Sequence, residues 1–358
     1  NDQTELQESI LKRTLHEQPS REIDTHFHLS LPSDFRVLGK VNIGLTAGVE
    51  TTKCPTTFIQ GCNRMDLVIV PSEFTKETLT TTKYVNESTS EDIQCTTPIK
   101  VVFEGYDETV YMGDPIYTDN LHTELGCIHD SYCFLFVGHW MTQYSLGNDR
   151  KNIGMLIKTF LETFANETTP PALILKTNGT NLSHIDKSTI INKINEIQDM
   201  VTIRGTKPNI YLLHGDLTSH EMRQLYEHPN VKCHITFTHG EGFCRPLLES
   251  ALSGKPILAP KWSGHMDYLN YKHSVLIPGK LEPTPTSTHT NQNNIIQGSE
   301  WYVVDYAQAS ELLREVYVNY DKYKERAVKV KKSISSNYTL SKMFDEYDKV
   351  LESVLKVE

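Results

Sequence analysis

The chain has 358 residues, with 45 Asp and Glu against 35 Lys and Arg, for a formal charge of −10. At about 100–200 residues per domain this is room for about two domains, each able to bury a full core. Net acidity without a long basic stripe argues against a nucleic-acid partner, and without an apolar run of about 18 residues or a charged-then-apolar leader neither a spanning helix nor an export signal is expected.

In chain order, Thr4 to about His16 reads as a helix, followed by a strand pattern in Asp24-Thr25-His26-Phe27-His28-Leu29 and another from Val41 to Leu45, just before Thr46-Ala47-Gly48-Val49-Glu50-Thr51-Thr52. A buried strand, Leu67 to Val70, runs into Pro71-Ser72-Glu73-Phe74-Thr75, where Ser72 is placed to accept from the free N–H groups of a helix start. Ile99 to Phe103 is a further strand. From Ser131 the alternation is regular, with strands at Cys133 to Val137, Ala172 to Leu175, Ile210 to Leu213, Val231 to Phe237 and Pro256 to Leu258, and a helical Glu221 to Tyr226. Leu281 to Gln297 is rich in Thr, Pro and Asn without periodicity and reads as an exposed loop. Helices from about Tyr306 to Val318 and from Tyr338 to Val357 close the chain; between them Lys322, Lys324, Arg326, Lys329, Lys331 and Lys332 read as the solvated face of a helix. Strands separated by helical stretches argue for an α/β fold with a mainly parallel sheet, whose ligands gather at the carboxyl ends of the strands.

Seven cysteines, at 54, 62, 95, 127, 133, 233 and 244, form no C-x-x-C and no metal-like set with histidines, so free thiols in a reducing, cytoplasmic setting are expected. Sequons at Asn86, Asn166, Asn178, Asn181 and Asn337 then read as chance occurrences.

The chemistry concentrates in His239-Gly240-Glu241-Gly242-Phe243-Cys244-Arg245-Pro246-Leu247-Leu248-Glu249. Pro246 suits the first turn of a helix, which puts Glu241 on the preceding loop and Glu249 on the helix, with both carboxylates expected to face one cleft. The helix start adds free N–H groups and a positive dipole end, so these few residues can hold a phosphate and bind hydroxyls beside it. That combination suits a nucleotide sugar.

The spacing of the two glutamates resembles the E-x7-E signature of retaining glycosyltransferases of family 4. Flanking segments agree in order: Tyr211-Leu212-Leu213-His214-Gly215-Asp216-Leu217-Thr218 upstream, Gly254-Lys255-Pro256-Ile257-Leu258-Ala259-Pro260 downstream, and further back Phe136-Val137-Gly138-His139-Trp140 with Arg150-Lys151-Asn152, similar to the family's "VGR…KG" pair. Earlier, Val70-Pro71-Ser72-Glu73-Phe74 and Glu104-Gly105-Tyr106-Asp107 resemble parts of a family amino-terminal domain. The resemblance implies the GT-B fold, two Rossmann-like domains facing across a cleft with the first incomplete. Residues 1–128 would form a partial, acceptor-side domain, 129–337 the nucleotide-sugar-binding domain, and 338–358 a helix returning to the first. The opening strand with its glycine loop has no match and residue 1 is Asn, so the chain is expected to be a fragment, a processed product or one part of a longer polypeptide.

Roles follow by resemblance. Lys151 would place a point charge at the β-phosphate of the donor, and Glu249 would accept hydrogen bonds from the two ribose hydroxyls. Glu241 would lie beside the donor sugar, with backbone N–H groups of Gly242 and Phe243 facing sugar and phosphates. His139, after Gly138, stands where the family usually carries arginine, so phosphate binding is weaker, pH-dependent, or moved to Arg150 or Arg245. Cys244 replaces a frequent glycine. The base would sit at the strand end near Gly215, touching Leu217; His28 would lie near the acceptor hydroxyl and Glu50 near the interdomain cleft. No metal and no cofactor is expected, since GT-B enzymes generally need no divalent ion and no D-x-D occurs.

The implied function is transfer of a sugar from a nucleotide-diphosphate donor to a hydroxyl of a glycan, lipid or protein acceptor. Retention is implied to come from front-face attack, in which the departing phosphate helps take the acceptor's proton. The competing readings are a nucleotide-sugar epimerase on the same fold and a non-catalytic sugar- or nucleotide-binding module. Donor base, sugar, acceptor and oligomeric state are not legible.

Overall fold

Cys133–Val137 and Ala172–Lys176 are apolar along nearly their whole length, the pattern of parallel strands covered on both faces. In the computed structural model, which describes residues 8–12, 14, 22–86, 88–116, 118–179, 182–202, 205–269, 272–289 and 294–355, they form the centre of a six-stranded parallel sheet. Its order is Val275–Ile277, Ile257–Pro260, Val231–Ile235, Cys133–Val137, Ala172–Lys176, Ile210–Leu213. Numbered along the chain from Cys133, this is the doubly wound 3-2-1-4-5-6 order of dinucleotide-binding folds. Alternate residues feed two cores. Phe134, Phe136, Leu173 and Leu175 pack under the helix Ile153–Phe164, while Cys133, Leu135, Ala172 and Ile174 face Leu247, Leu248 and Ala251 of the helix Arg245–Ala251.

The first unit has a four-stranded parallel sheet in the order Ile23–Leu29, Gly39–Leu45, Leu67–Val70, Ile99–Val101. Ser72 caps the helix Glu73–Thr81, accepting from the Thr75 N–H at 3.1 Å. A short antiparallel hairpin, Lys83–Val85 with Asp92–Gln94, sits beside it. Of the helix read over Thr4 to His16, residues 8–12 are helical and most of the remainder lies outside the described residues.

The units are joined at the carboxyl end. Tyr106 exchanges backbone hydrogen bonds with Tyr338 and Leu340, at 3.0 and 2.9 Å, and the helix Leu340–Glu352 then runs across the first sheet. Met343, Tyr347, Val350 and Leu351 pack there against Ile43, Leu67, Ile69 and Val102.

Three sequence expectations are corrected. The strand read over Ile99 to Phe103 ends at Val101, and the one read over Val231 to Phe237 ends at Ile235. The segment Leu281 to Gln297 is not wholly an exposed loop, because Gly279–Pro283 pairs antiparallel with Glu300–Val304, and Thr284, Thr288 and Ile295 are buried. Alternation in Gly279–Pro283 is masked by its terminal glycine and proline. No described helix is long and apolar enough to cross a membrane.

Ile43 is fully buried between the first sheet and the last helix, so Ile43→Ala is expected to lower the unfolding free energy by about 2–5 kcal/mol in urea titrations. Phe344→Ala, on the solvent side of that helix, is expected to change it by no more than about 0.5 kcal/mol.

Candidate functional site

In a doubly wound sheet the ligand crevice opens where the strand order reverses, here between Cys133–Val137 and Val231–Ile235. Residues after the first strand include Gly138, His139, Arg150 and Lys151; those after the second run from Thr236 to Cys244. A turn in which the Asn152 N–H donates to the Asp149 carbonyl at 2.9 Å sets Arg150 and Lys151 at the start of the helix Ile153–Phe164, and that helix is anchored by buried Ile153, Leu156, Ile157 and Phe160. On the facing loop the His239 ring nitrogens lie 2.7 Å from the Tyr302 carbonyl and 3.0 Å from the Gly147 carbonyl, and the ring stacks on Trp301 at 4.1 Å. Both loops are thereby held in register.

Between them lies Glu241, buried, with the Lys151 ammonium 2.6 Å from one carboxylate oxygen and an Arg150 guanidinium nitrogen 3.3 Å from the other. Arg150 reaches three ways: it also donates to the Gly240 carbonyl at 3.0 Å and pairs with Glu50 at 2.9 Å. Glu50 belongs to the first unit, so this guanidinium bridges the cleft. Burial works to raise the Glu241 pKa, but the Lys151 and Arg150 charges overcome it and hold the carboxyl down to about 2. At Glu50 burial outweighs Arg150, and its pKa is raised.

The glycines of the loop serve close approach. A Cβ on Gly240 would lie 1.9 Å from the Glu50 carbonyl oxygen, and one on Gly242 would lie 2.3 Å from that of Ala47. The Gly242 carbonyl accepts from the Ser72 and Thr75 hydroxyls at 2.5 and 3.4 Å, so the helix cap of the first unit is also its clasp on the second. Phe243 is buried against Tyr268 in the core. Cys244 is left-handed, with φ of 73°, a conformation that costs a side-chain-bearing residue and explains why glycine suits this position. Its thiol is pushed up to about 12 by burial.

Glu241 lies on the loop and Glu249 on the helix Arg245–Ala251, but the two carboxylates hold separate partners. Glu249 pairs with Arg245 at 3.0 Å and faces Tyr111, with burial raising its pKa against both; Lys151 is the partner of Glu241. His139 is exposed, and desolvation, then the charges of Lys151, Lys176 and Arg150, lower its pKa, leaving a neutral ring with one donor near pH 7. Leu217 packs against the core beside Gly215. His28 has Phe35 and His26 as ring neighbours and accepts from the Arg36 N–H at 3.1 Å; these contacts bring it to none of the Glu241 cluster.

Lys176 escaped the sequence reading. It ends the strand Ala172–Lys176, is buried, and donates to the Gly215 carbonyl at 2.6 Å, close enough to His139 to depress its titration. A lysine closing a fully buried apolar strand is the signal that would have found it. Beside Glu50 and Arg150 the cleft widens into a cavity of about 310 Å³, also lined by Leu31, Gly48, Met141 and Tyr144.

No family model matches the chain, and no curated protein matches it. Solved structures do. That of HepE from Anabaena, in complex with UDP and glucose, superposes with a TM-score of 0.59 at 13% identity, covering 88% of this chain and 72% of that one. Sucrose-phosphate synthase from Thermosynechococcus elongatus gives 0.58 at 12%, covering 98% and 71%, and a trehalose-6-phosphate synthase gives 0.61 at 10%, covering 94% and 75%. The fold is GT-B. At these identities the likeness is one of architecture, and the residues above carry whatever chemistry the chain performs.

Because the folded-state pKa of Glu241 lies below its unfolded value of 4.5, its contribution is full above about pH 4.5 and is lost as the pH falls towards about 2. Glu241→Gln, which leaves Lys151 and Arg150 short of a partner, is expected to cost about 3–5 kcal/mol at pH 7 by urea unfolding, with the gap to wild type closing over that window. At position 244, Cys244→Val should destabilise the chain more than Cys244→Gly, since a branched side chain fits the left-handed backbone worst.

Proposed function

We propose that the chain is a metal-independent, retaining glycosyltransferase similar to those of family 4, using a nucleotide-diphosphate sugar and a hydroxyl acceptor. The observation that carries this reading is the group of Glu241, Lys151, Arg150 and Glu50 at the switch-point crevice of a GT-B fold. HepE, whose structure holds UDP and glucose, and the sugar-phosphate synthases support a nucleotide sugar as the donor class.

A leaving diphosphate needs positive charge. Lys151, with Lys176 nearby, supplies it, the neutral His139 ring adds one hydrogen-bond donor, and Lys176 offsets the arginine that His139 replaces. In this reading Glu241 steadies positive character at the anomeric carbon and binds sugar hydroxyls, while Glu249, on the helix Arg245–Ala251, takes the ribose. The acceptor enters from the cavity beside Glu50. Front-face attack then passes the acceptor's proton to the departing phosphate, and closure of the cleft excludes water as a competing acceptor. We infer a cytoplasmic setting from the cysteine usage.

A second reading, a non-catalytic nucleotide-binding module, draws on one observation: the Lys151 charge is already engaged by Glu241 at 2.6 Å. The two separate experimentally. A panel of nucleotide sugars tested by thermal shift should contain one that stabilises the chain, by about 2.7 kcal/mol at a hundredfold excess over Kd. Glu249→Ala is expected to abolish that shift, and an undiminished shift would remove the ribose assignment. For the same donor, Lys151→Met is expected to lower transfer about 10²–10³-fold, and NMR of the product should show the donor's anomeric configuration. Binding without any transfer or donor hydrolysis would favour the module.

A further inference from the structure

The first unit holds a group of thiols that the proposed reaction does not use. Cys62 ends the helix Thr56–Cys62 and is fully buried; Cys95 follows the strand Asp92–Gln94 and is partly exposed. Hydrogen bonds tie the two segments together around these residues. The Asn63 side-chain amide donates to the Gln94 carbonyl at 2.8 Å, the Thr96 N–H donates to the Asn63 side-chain oxygen at 2.8 Å, and the Thr97 hydroxyl donates to the carbonyls of Cys62 and Met65 at 2.8 and 3.2 Å. This clamp holds the segments that carry the two thiols against each other. Both pack on the apolar cluster around Phe35 and Phe58.

We propose that Cys62 and Cys95 form a reversible thiol–disulfide site, closed by small-molecule disulfides that reach the partly exposed Cys95. The neighbouring Cys62 thiol lowers the Cys95 pKa, while Cys95 and burial raise that of Cys62, so Cys95 is the attacking thiolate and Cys62 the resolving thiol. With oxidised glutathione, the Cys95 thiolate attacks one sulfur, forms a mixed disulfide and releases one glutathione thiolate. Cys62 gives its proton to that thiolate, attacks the Cys95 sulfur and releases the second glutathione. The second glutathione leaves as a thiolate and takes from water the proton Cys95 had given up on ionising, so the two protein thiols lose two electrons and two protons and the oxidant gains both. Cys54, the third thiol of the group, is buried, which pushes its pKa up to about 11 and keeps it protonated. The new bond joins the end of a helix to the segment after a hairpin, so it restricts the unfolded chain and raises the melting temperature.

The test uses the whole chain, held with oxidised glutathione, blocked with iodoacetamide and mapped by mass spectrometry. A cross-linked peptide pair holding Cys62 and Cys95 is expected, reversed by dithiothreitol, together with a rise in Tm on oxidation that Cys62→Ser and Cys95→Ser each abolish. Cys62→Ser should leave Cys95 as the mixed disulfide with glutathione. Recovery of both thiols as alkylated in the oxidised native chain, or a cross-link from Cys95 to Cys54, would overturn the proposal. None of these outcomes depends on sugar transfer.

Discussion

A buried carboxylate gripped by two cations is the constraint from which the rest of this structure can be read. Taking a charge out of water costs several kcal/mol, which is offset only when partners and hydrogen bonds are close and well aimed. Glu241 meets that condition through Lys151 and Arg150, and Arg150 in turn needs Glu50. The four charges sum to zero across the cleft. None of them can be displaced without leaving another uncompensated, so the loop after Val231–Ile235, the turn before Ile153–Phe164 and the loop after Gly39–Leu45 have to arrive together.

The backbone is cut to allow it. Gly240 and Gly242 let the second unit come within contact of the carbonyls of Glu50 and Ala47, and the Ser72 hydroxyl, which caps a helix of the first unit, closes on the Gly242 carbonyl. At the far end the helix Leu340–Glu352 belts the two units together by packing on the first sheet. Closure of the cleft and the charge arrangement are therefore one feature, and a diphosphate entering beside Lys151 would compete with Glu241 for the same ammonium.

Much of this was legible in the sequence, for a physical reason. Strands such as Leu67–Val70 and Cys133–Val137 are short apolar runs bounded by polar turns, and the helix opened by Pro246 declares itself through the fixed φ of proline. The Arg150-Lys151 pair and Glu241, singled out in the sequence, meet at the switch-point crevice. What local pattern does not carry is which distant residues become partners. Nothing near Glu249 in the chain announces Tyr111, nothing near Arg150 announces Glu50, and Lys176 hides at the end of an apolar strand. Gly242 read as a phosphate cradle, but its neighbours in space show that the missing side chain also makes room for another backbone.

The most direct measurement is a double-mutant cycle on unfolding free energy with Lys151→Met and Glu241→Gln. If the buried pair organises the cleft, the two changes are coupled by at least about 1 kcal/mol, because each single change strands the other charge. Effects that add within about 0.3 kcal/mol would show that the two side chains stand independently, and would contradict the account.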